Sequence, residues 1–235
     1  MNKTVIPGFR VFLVLLFAAA AASAHVPMME TPETNSFNDA LKILRPTYSY
    51  AIYGNLEKPG DIDYYTFEVK EPMKAHASLL VPFRPEYLDF YPVYAVIGPG
   101  LPSPQGKIPF DLPPGCGAIV ISGTASEGRP TFYEPFSRTR YYEGIPKFEQ
   151  ELKQPGIYYI VVWHPGNETG AYILGYGLAE KFTAQDWANT FKLLSSIRSG
   201  SWETKRGKPQ APCPCMNKDA AKCPAADSCG CQGRM

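Results

Sequence analysis

The residues whose types and spacing could do chemistry lie close to the C-terminus of this 235-residue chain. Five of its six cysteines fall within the nineteen residues CPCMNKDAAKCPAADSCGC, which form a cysteine-rich tail. The two Cys-x-Cys pairs are poorly placed to form disulfides within themselves, whereas their thiolates can reach one soft ion. The tail therefore predicts a copper or zinc site whose candidate ligands are Cys213, Cys215, Cys223, Cys229 and Cys231.

Two other interpretations of the tail stay open. Dense cysteines in an exported protein commonly form disulfides, and because five is an odd number, full pairing would require Cys116 as the sixth partner. The tail could also be unstructured and sensitive to redox conditions. The paired Cys-x-x-Cys motifs that are typical of zinc ribbons are absent from the sequence.

A second candidate metal ligand is His25, with Met28 and Met29 close behind it. If the chain is cleaved before His25, its free amine and its imidazole can bind one ion together. A copper site of this kind needs another imidazole, which only His76 or His164 can supply. The alternative is that His25 is incidental and that the other two are ordinary strand histidines.

An export signal is predicted at residues 1–24. Lys3 and Arg10 precede the apolar run 11–22, and the small triplet Ala22-Ser23-Ala24 follows as a cleavage site. The run is too short to cross a bilayer, which needs about 20 residues. The pattern therefore predicts a mature chain that begins at His25, has no transmembrane segment, and is periplasmic or secreted.

The charge of the mature chain argues against nucleic acid as a partner. Without Lys3 and Arg10, the 23 basic residues become 21, against 22 acidic residues, so the net charge is near −1. No basic block stands out in the sequence. The expected partners are a metal ion or an unknown protein of the cell envelope.

Short aromatic and β-branched runs predict an all-β fold. They are separated by turn sequences rich in the 24 prolines and 20 glycines, and no helix of 10–15 residues lies between them, which favours an antiparallel sandwich or barrel. Alternation within Ile62–Val69 predicts one buried face, formed by the residues from Asp63 onwards at every second position. The predicted strands are Tyr48–Leu56, Ile62–Val69, Ala75–Val81, Val93–Ile97, Ala118–Ile121, Ile157–Trp163 and Tyr172–Gly177.

Other segments flank or interrupt these strands. Residues 25–46 are a lead-in in which only Phe37 to Leu44 could form a helical turn or two, and residues 83–147 are an irregular, Pro- and Tyr-rich insert. A short helix is predicted over 183–198, and residues 199–235 form a linker and a disordered Cys-rich tail.

The predicted helix has a clear start signal and an apolar stripe. Thr183 can cap it, and Asp186 lies where a carboxylate favours the N-terminus. The stripe either packs against the sheet edge or lies on a membrane surface. Its residues, at helical spacing, are Trp187, Phe191, Leu194 and Ile197.

Two motifs carry a resemblance to a known family. The sequence YGNLEKPGDIDYYTFEV, residues 53–69, and the later LKQPGIYYIVVWHPGNETGAYILGYG, residues 152–177, resemble the bacterial pre-peptidase C-terminal domain and its stand-alone periplasmic relatives. The resemblance implies a jelly-roll-like β-sandwich over residues 47–180, acting as an accessory module without catalysis of its own. It also places Asp61 and Asp63 where some relatives hold calcium, although two carboxylates are too few for that ion. We expect Asp61 to cap the backbone of its own turn.

The functional predictions follow from these features. The sequence contains no nucleophile elbow, no phosphate-binding Gly-rich loop before a helix, and no His-Glu-x-x-His motif, so we expect no enzymatic activity. The first hypothesis is an exported module that binds copper or zinc through its tail. The second is an envelope interaction module with a disulfide-linked tail and no metal, and a third is a copper enzyme that uses His25.

Overall fold

A computed structural model describes residues 25–31, 34–124 and 128–207. The predicted export signal, residues 1–24, lies outside the described residues, as does the cysteine-rich tail. The five predicted thiolate ligands Cys213, Cys215, Cys223, Cys229 and Cys231 therefore have no structural account.

Within the described ranges the chain forms two facing β-sheets. The strands are β1 (Val26–Met29), β2 (Leu41–Lys42), β3 (Tyr50–Leu56), β4 (Ile62–Val69), β5 (Met73–Pro82), β6 (Val93–Pro99), β7 (Cys116–Ile121), β8 (Thr131–Glu134), β9 (Thr139–Tyr142), β10 (Phe148–Leu152), β11 (Gly156–Trp163) and β12 (Gly170–Tyr176). Sheet A has seven strands, in the order β1-β3-β12-β5-β9-β8, with β10 also paired to β5, and sheet B has five, in the order β2-β4-β11-β6-β7.

The predicted all-β sandwich with a C-terminal helix is confirmed, but its sheets are mixed and not purely antiparallel. All seven predicted strands are present, as β3 to β7, β11 and β12. In addition, β1 pairs with β3 in parallel, and β2 pairs with β4 in parallel. The lead-in thus adds one edge strand to each sheet, and this covers backbone groups that an edge leaves unpaired.

The helical turn predicted between Phe37 and Leu44 is wrong. Leu41 and Lys42 instead pair with β4, and the backbone N–H of Ile43 donates to Thr66 O at 2.8 Å. The segment is too short to stabilise an isolated helix, whereas the edge of β4 offers it ready hydrogen-bond partners.

Residues 83–147 contribute strands to both sheets. Strands β6 and β7 extend sheet B, and the β8–β9 hairpin extends sheet A beyond β5. The short strands β8 and β9 carry little alternation, so the sequence did not predict them. Tyr141 and Tyr142 on β9 are buried, whereas Tyr133 on β8 is exposed.

The main core lies between the two sheets. Tyr65, Phe67 and Val69 of β4 point into it, so the predicted alternation is confirmed. Tyr64, on the opposite face of β4, is also buried, because Phe37 and Phe110 pack over the outer face of sheet B. Long segments outside the sheets therefore bury residues that alternation alone assigns to solvent.

Helix α1 (Ala184–Ser199) begins at the predicted cap. Thr183 and Asp186 form a reciprocal capping box. Arg45 bridges to both oxygens of Asp186 at 2.6 and 2.8 Å, and this contact lowers the pKa of Asp186 to about 2. The helix is thereby attached to the segment that precedes β3. Within the described ranges, no helix is both long enough and apolar enough to cross a membrane.

The buried face of α1 differs from the predicted stripe. Asp186, Thr190 and Ile197 are buried, and Leu193 packs with Ile197 on the outer face of sheet A. Of the predicted stripe, only Ile197 is buried; Trp187 and Phe191 are exposed. The prediction of the helix is confirmed, but its aromatic residues do not pack against the sheet.

Candidate functional site

A cavity of about 210 Å³ lies on the outer face of sheet A. Its floor is a row of small residues from three neighbouring strands, because Gly175 of β12 pairs with Ala51 of β3 on one side and with Ser78 of β5 on the other. Side chains at alternate positions of a strand point to the same face, so this row leaves a hollow that larger residues would fill. We call this cavity the histidine pocket.

The pocket brings together two of the three histidines. Val26 N–H donates to Ser49 O, and the His25 ring nitrogen Nδ1 lies 2.5 Å from Ser49 Oγ. His76 lies on β5, on the same side of the sheet, and both imidazoles line the pocket. Of the two histidines that could supply the second imidazole, His76 is therefore the one that lines the same cavity as His25.

His76 has an unusual hydrogen-bonding state. It lies opposite Glu149 of β10, and its Nδ1 is 3.2 Å from Glu149 Oε1 but lacks the geometry of a hydrogen bond. This buried nitrogen consequently has no hydrogen-bond partner among the described residues. Such an atom normally costs stability unless a further partner binds it, and the contact that it makes here is with Glu149, which does not line the pocket.

The electrostatic environment favours a neutral His25. Burial lowers the pKa of His25 below its usual value, the carboxylates of Glu180 and Glu134 act in the opposite direction, and His76 adds a smaller lowering. A neutral imidazole is the form that binds metal ions. The pocket therefore presents one ligand in its binding form at neutral pH.

Glu134, another polar residue that lines the pocket, is already engaged. Both oxygens of Glu134 accept backbone hydrogen bonds, from Phe136 at 2.9 Å and from Ser137 at 2.5 Å. Over residues 25–31, 34–124 and 128–207, no group of three or more His, Cys, Asp or Glu side chains could hold a metal ion. The two imidazoles are thus the candidate ligands that this pocket offers.

His164 and Cys116 lie outside the histidine pocket. His164 stacks on Phe90 with ring centroids 5.0 Å apart, and its Nδ1 accepts backbone hydrogen bonds from Gly166 and Glu168. It lies in the β11–β12 loop and not in a strand, and these contacts give it a structural role. Cys116 begins β7, and the tail cysteines with which it was predicted to pair lie outside the described residues.

A second polar cavity, of about 110 Å³, contains the carboxylates of the first motif. Asp61 Oδ2 accepts from the backbone N–H of Glu57 at 2.7 Å, so the predicted turn cap is present. Asp63 is only 4% exposed, and the hydroxyl of Tyr172 donates to its Oδ2 at 2.6 Å. Glu30, from the end of the lead-in strand, joins them through contacts that the sequence did not reveal.

Hydrogen bonds to Glu30 connect the lead-in with the sandwich. Its two oxygens accept hydrogen bonds from the Thr34 hydroxyl at 2.7 Å and from the backbone N–H of Asn55 at 2.8 Å. Burial raises the pKa of Asp63 well above its usual range, and the neighbouring Glu30 carboxyl raises it further. Burial also raises the pKa of Glu30. The two buried carboxyls thus favour a protonated state in which they share a proton.

Comparison with known proteins gives similarity to solved structures only. No family model matches the chain, and no curated protein matches it. Among solved structures, it is similar to the pre-peptidase C-terminal domain of collagenase from Bacillus anthracis, with 19% identity, a TM-score of 0.32, and coverage of 63% of this chain and 98% of that chain. Membership of that family, expected from the two motifs, stays a prediction.

The carboxyl pair gives a pH-dependent prediction. Because the pKa of Asp63 is raised on folding, its contribution to the free energy of unfolding is present at acid pH and is lost as the pH rises through the folded-state pKa. Asp63→Asn should keep the hydrogen bond from Tyr172 and remove the buried charge. We expect the variant to be more stable than the parent by about 1–3 kcal/mol at about pH 8, with little difference at about pH 4.

Thermal unfolding across this pH range measures the effect. Asp61→Asn is the matched control, because Asp61 lines the same cavity but caps a turn through a backbone contact. An Asp63→Asn variant that is destabilised equally at every pH would contradict the shared-proton interpretation.

Proposed function

We propose that this chain is an exported, non-catalytic β-sandwich module that binds one copper or zinc ion at the histidine pocket. The observation that carries the proposal is the presence of His25 and His76 in one cavity, although they are far apart in the sequence. Export is inferred from the signal pattern of residues 1–24, which implies a periplasmic or secreted location. The absence of catalytic motifs from the sequence supports a binding role.

The chemistry of the two side chains suits these metals. Imidazole nitrogen is a preferred ligand of both copper and zinc. Ser49, beside Nδ1 of His25, can fix the orientation of that ring in the way that outer-shell partners fix metal-bound histidines. Cleavage before His25 would add its free amine as a third nitrogen ligand, as predicted from the sequence.

The test is copper and zinc titration of the mature chain after alkylation of its thiols, which prevents binding by the cysteine-rich tail. We expect about one equivalent to bind. His76→Gln should weaken the affinity by at least about tenfold, since even the loss of an outer-shell partner costs 10–100-fold. The measurement is calorimetry with a competing chelator.

His164→Gln is the matched control, because it removes the same side chain outside the pocket. We expect its affinity to equal that of the parent. Equal affinities for His76→Gln and the parent would contradict the proposal. A chain with a short extension before His25 tests the amine separately, and we expect its copper affinity to be lower.

The cysteine-rich tail remains a second candidate site, because five cysteines lie within nineteen residues. We propose that its thiolates bind copper or zinc, and the alternative is a disulfide-linked tail in a module that binds another envelope protein. Intact-mass measurement before and after alkylation distinguishes the two. Free thiols that are protected by added metal support the metal site, whereas complete pairing supports the disulfide alternative.

A further inference from the structure

A row of stacked aromatic side chains runs from Phe182, which packs partly against the main core, to Trp187 and Phe191 of helix α1, which the sandwich leaves exposed. Phe182 stacks on Trp187 with centroids 4.7 Å apart, and Trp187 stacks on Phe191 at 6.1 Å. Trp187 is 41% exposed and Phe191 is 66% exposed. Exposure of adjacent large aromatic residues is unfavourable in water, and contiguous patches of this kind mark interaction surfaces.

Two more exposed apolar residues lie in segments that connect to the start of this helix, one through an ion pair and the other along the chain. Leu44, which is 82% exposed, precedes Arg45, and Arg45 bridges to Asp186 of α1. Leu178, 57% exposed, precedes Ala179, whose backbone bonds to Thr47 and Ser49. We define the aromatic patch by its members Leu44, Leu178, Phe182, Trp187 and Phe191.

The exposed charges of residues 180–199 are mostly positive. The charged residues there are Glu180, Lys181, Asp186, Lys192 and Arg198. Asp186 is buried and paired with Arg45, whereas Glu180 and the three basic residues are exposed. Three basic residues against one exposed acidic residue give this segment a net positive charge, which complements a surface of negative charge.

We propose that the aromatic patch docks the folded protein onto the surface of an anionic phospholipid bilayer. Tryptophan and phenylalanine beside lysine and arginine are the combination that helices lying in a membrane interface use. The capping box and the Arg45–Asp186 ion pair hold the helix in place before binding, so docking requires no ordering of the helix. This proposal is independent of the metal site.

The experiment uses the mature chain and lipid vesicles of phosphatidylcholine with increasing phosphatidylglycerol. Trp187 is a built-in probe, because it is exposed, whereas Trp163 is buried and Trp202 is partly buried against Tyr53. We expect its fluorescence to shift to shorter wavelength and to be quenched by brominated lipid as the anionic fraction rises. Phe191→Ser should weaken partitioning at least about tenfold, and Lys181→Glu with Lys192→Glu should abolish the dependence on anionic lipid.

Leu88→Ser is the matched control, since Leu88 is an exposed apolar residue outside the patch, at 52%. It should bind vesicles like the parent, and unchanged thermal unfolding of Phe191→Ser should show that this exposed substitution preserves the fold. The proposal is overturned if the parent does not bind anionic vesicles, or if Leu88→Ser weakens binding as much as Phe191→Ser. It is also overturned if Phe191→Ser changes the oligomeric state and not the partitioning, because the patch would then join copies of this chain.

Discussion

Arg129→Met is expected to lower the free energy of unfolding by roughly 3–5 kcal/mol, because several buried carbonyl oxygens would lose their donor at a cost of about 1–3 kcal/mol each. Arg129 is 6% exposed, and its guanidinium lies 4.0 Å from the ring centroid of Tyr91. The carbonyl oxygens that accept its hydrogen bonds, at 2.7 to 3.2 Å, are those of Glu143, Tyr87, Leu88 and Phe90.

The effect should be large because the four carbonyls belong to two loops that Arg129 joins. Methionine fills similar space but donates no hydrogen bond, so buried carbonyls would lose their partner. We expect the melting temperature to fall by roughly 10 °C. Arg140→Met is the control, since Arg140 is exposed and its side chain bonds to Thr131 at the surface; its effect should stay within about 0.5 kcal/mol. Equal stability of the two variants would contradict a structural role for Arg129.

The second large effect is expected at Gly177, which lines the histidine pocket. Its φ is 78°, and a Cβ atom there would lie 1.9 Å from Tyr48 O and 2.8 Å from Tyr48 C. These are backbone atoms, so Gly177→Ala must displace the chain at residues 48 and 49. We expect a loss of at least about 3 kcal/mol, combining the left-handed backbone with the steric contact.

Gly177→Ala should also weaken metal binding in whatever fraction of the protein still folds. Ser49 lies next to the displaced carbonyl, and its hydroxyl contacts His25. Denaturant unfolding and copper titration measure the two effects. Gly60→Ala is the matched control, because Gly60 has a φ of 80° but a Cβ atom added there would meet no other atom within 4 Å. It should lose only about 1–2 kcal/mol, the backbone cost alone, with unchanged copper affinity.

A loss no greater for Gly177→Ala than for Gly60→Ala would show that the Tyr48 carbonyl moves without cost. The histidine pocket would then depend less on the close packing of β12 against the chain before β3 than the contact distances imply.

Local sequence determined much of the fold of this protein. Alternation along Ile62–Val69 specified both the strand and its buried face, and Thr183 with Asp186 specified the start of the helix. These features depend on neighbouring residues alone, since side-chain direction in a strand and capping of a helix are local properties. The sequence also identified His25 and His76 as candidate metal ligands.

Only the tertiary structure determined which of the histidines line the same cavity. His76 lines the same cavity as His25, and His164 does not, because β1 pairs in parallel with β3 and β12 places Gly175 between β3 and β5. Glu30 likewise meets Asp63 only through the pairing of the lead-in strand. The face that α1 buries was set by its ion pair with Arg45 and its contact with sheet A, which left Trp187 and Phe191 exposed. Such pairings join residues distant in the chain, and their free energy depends on packing that no local pattern encodes.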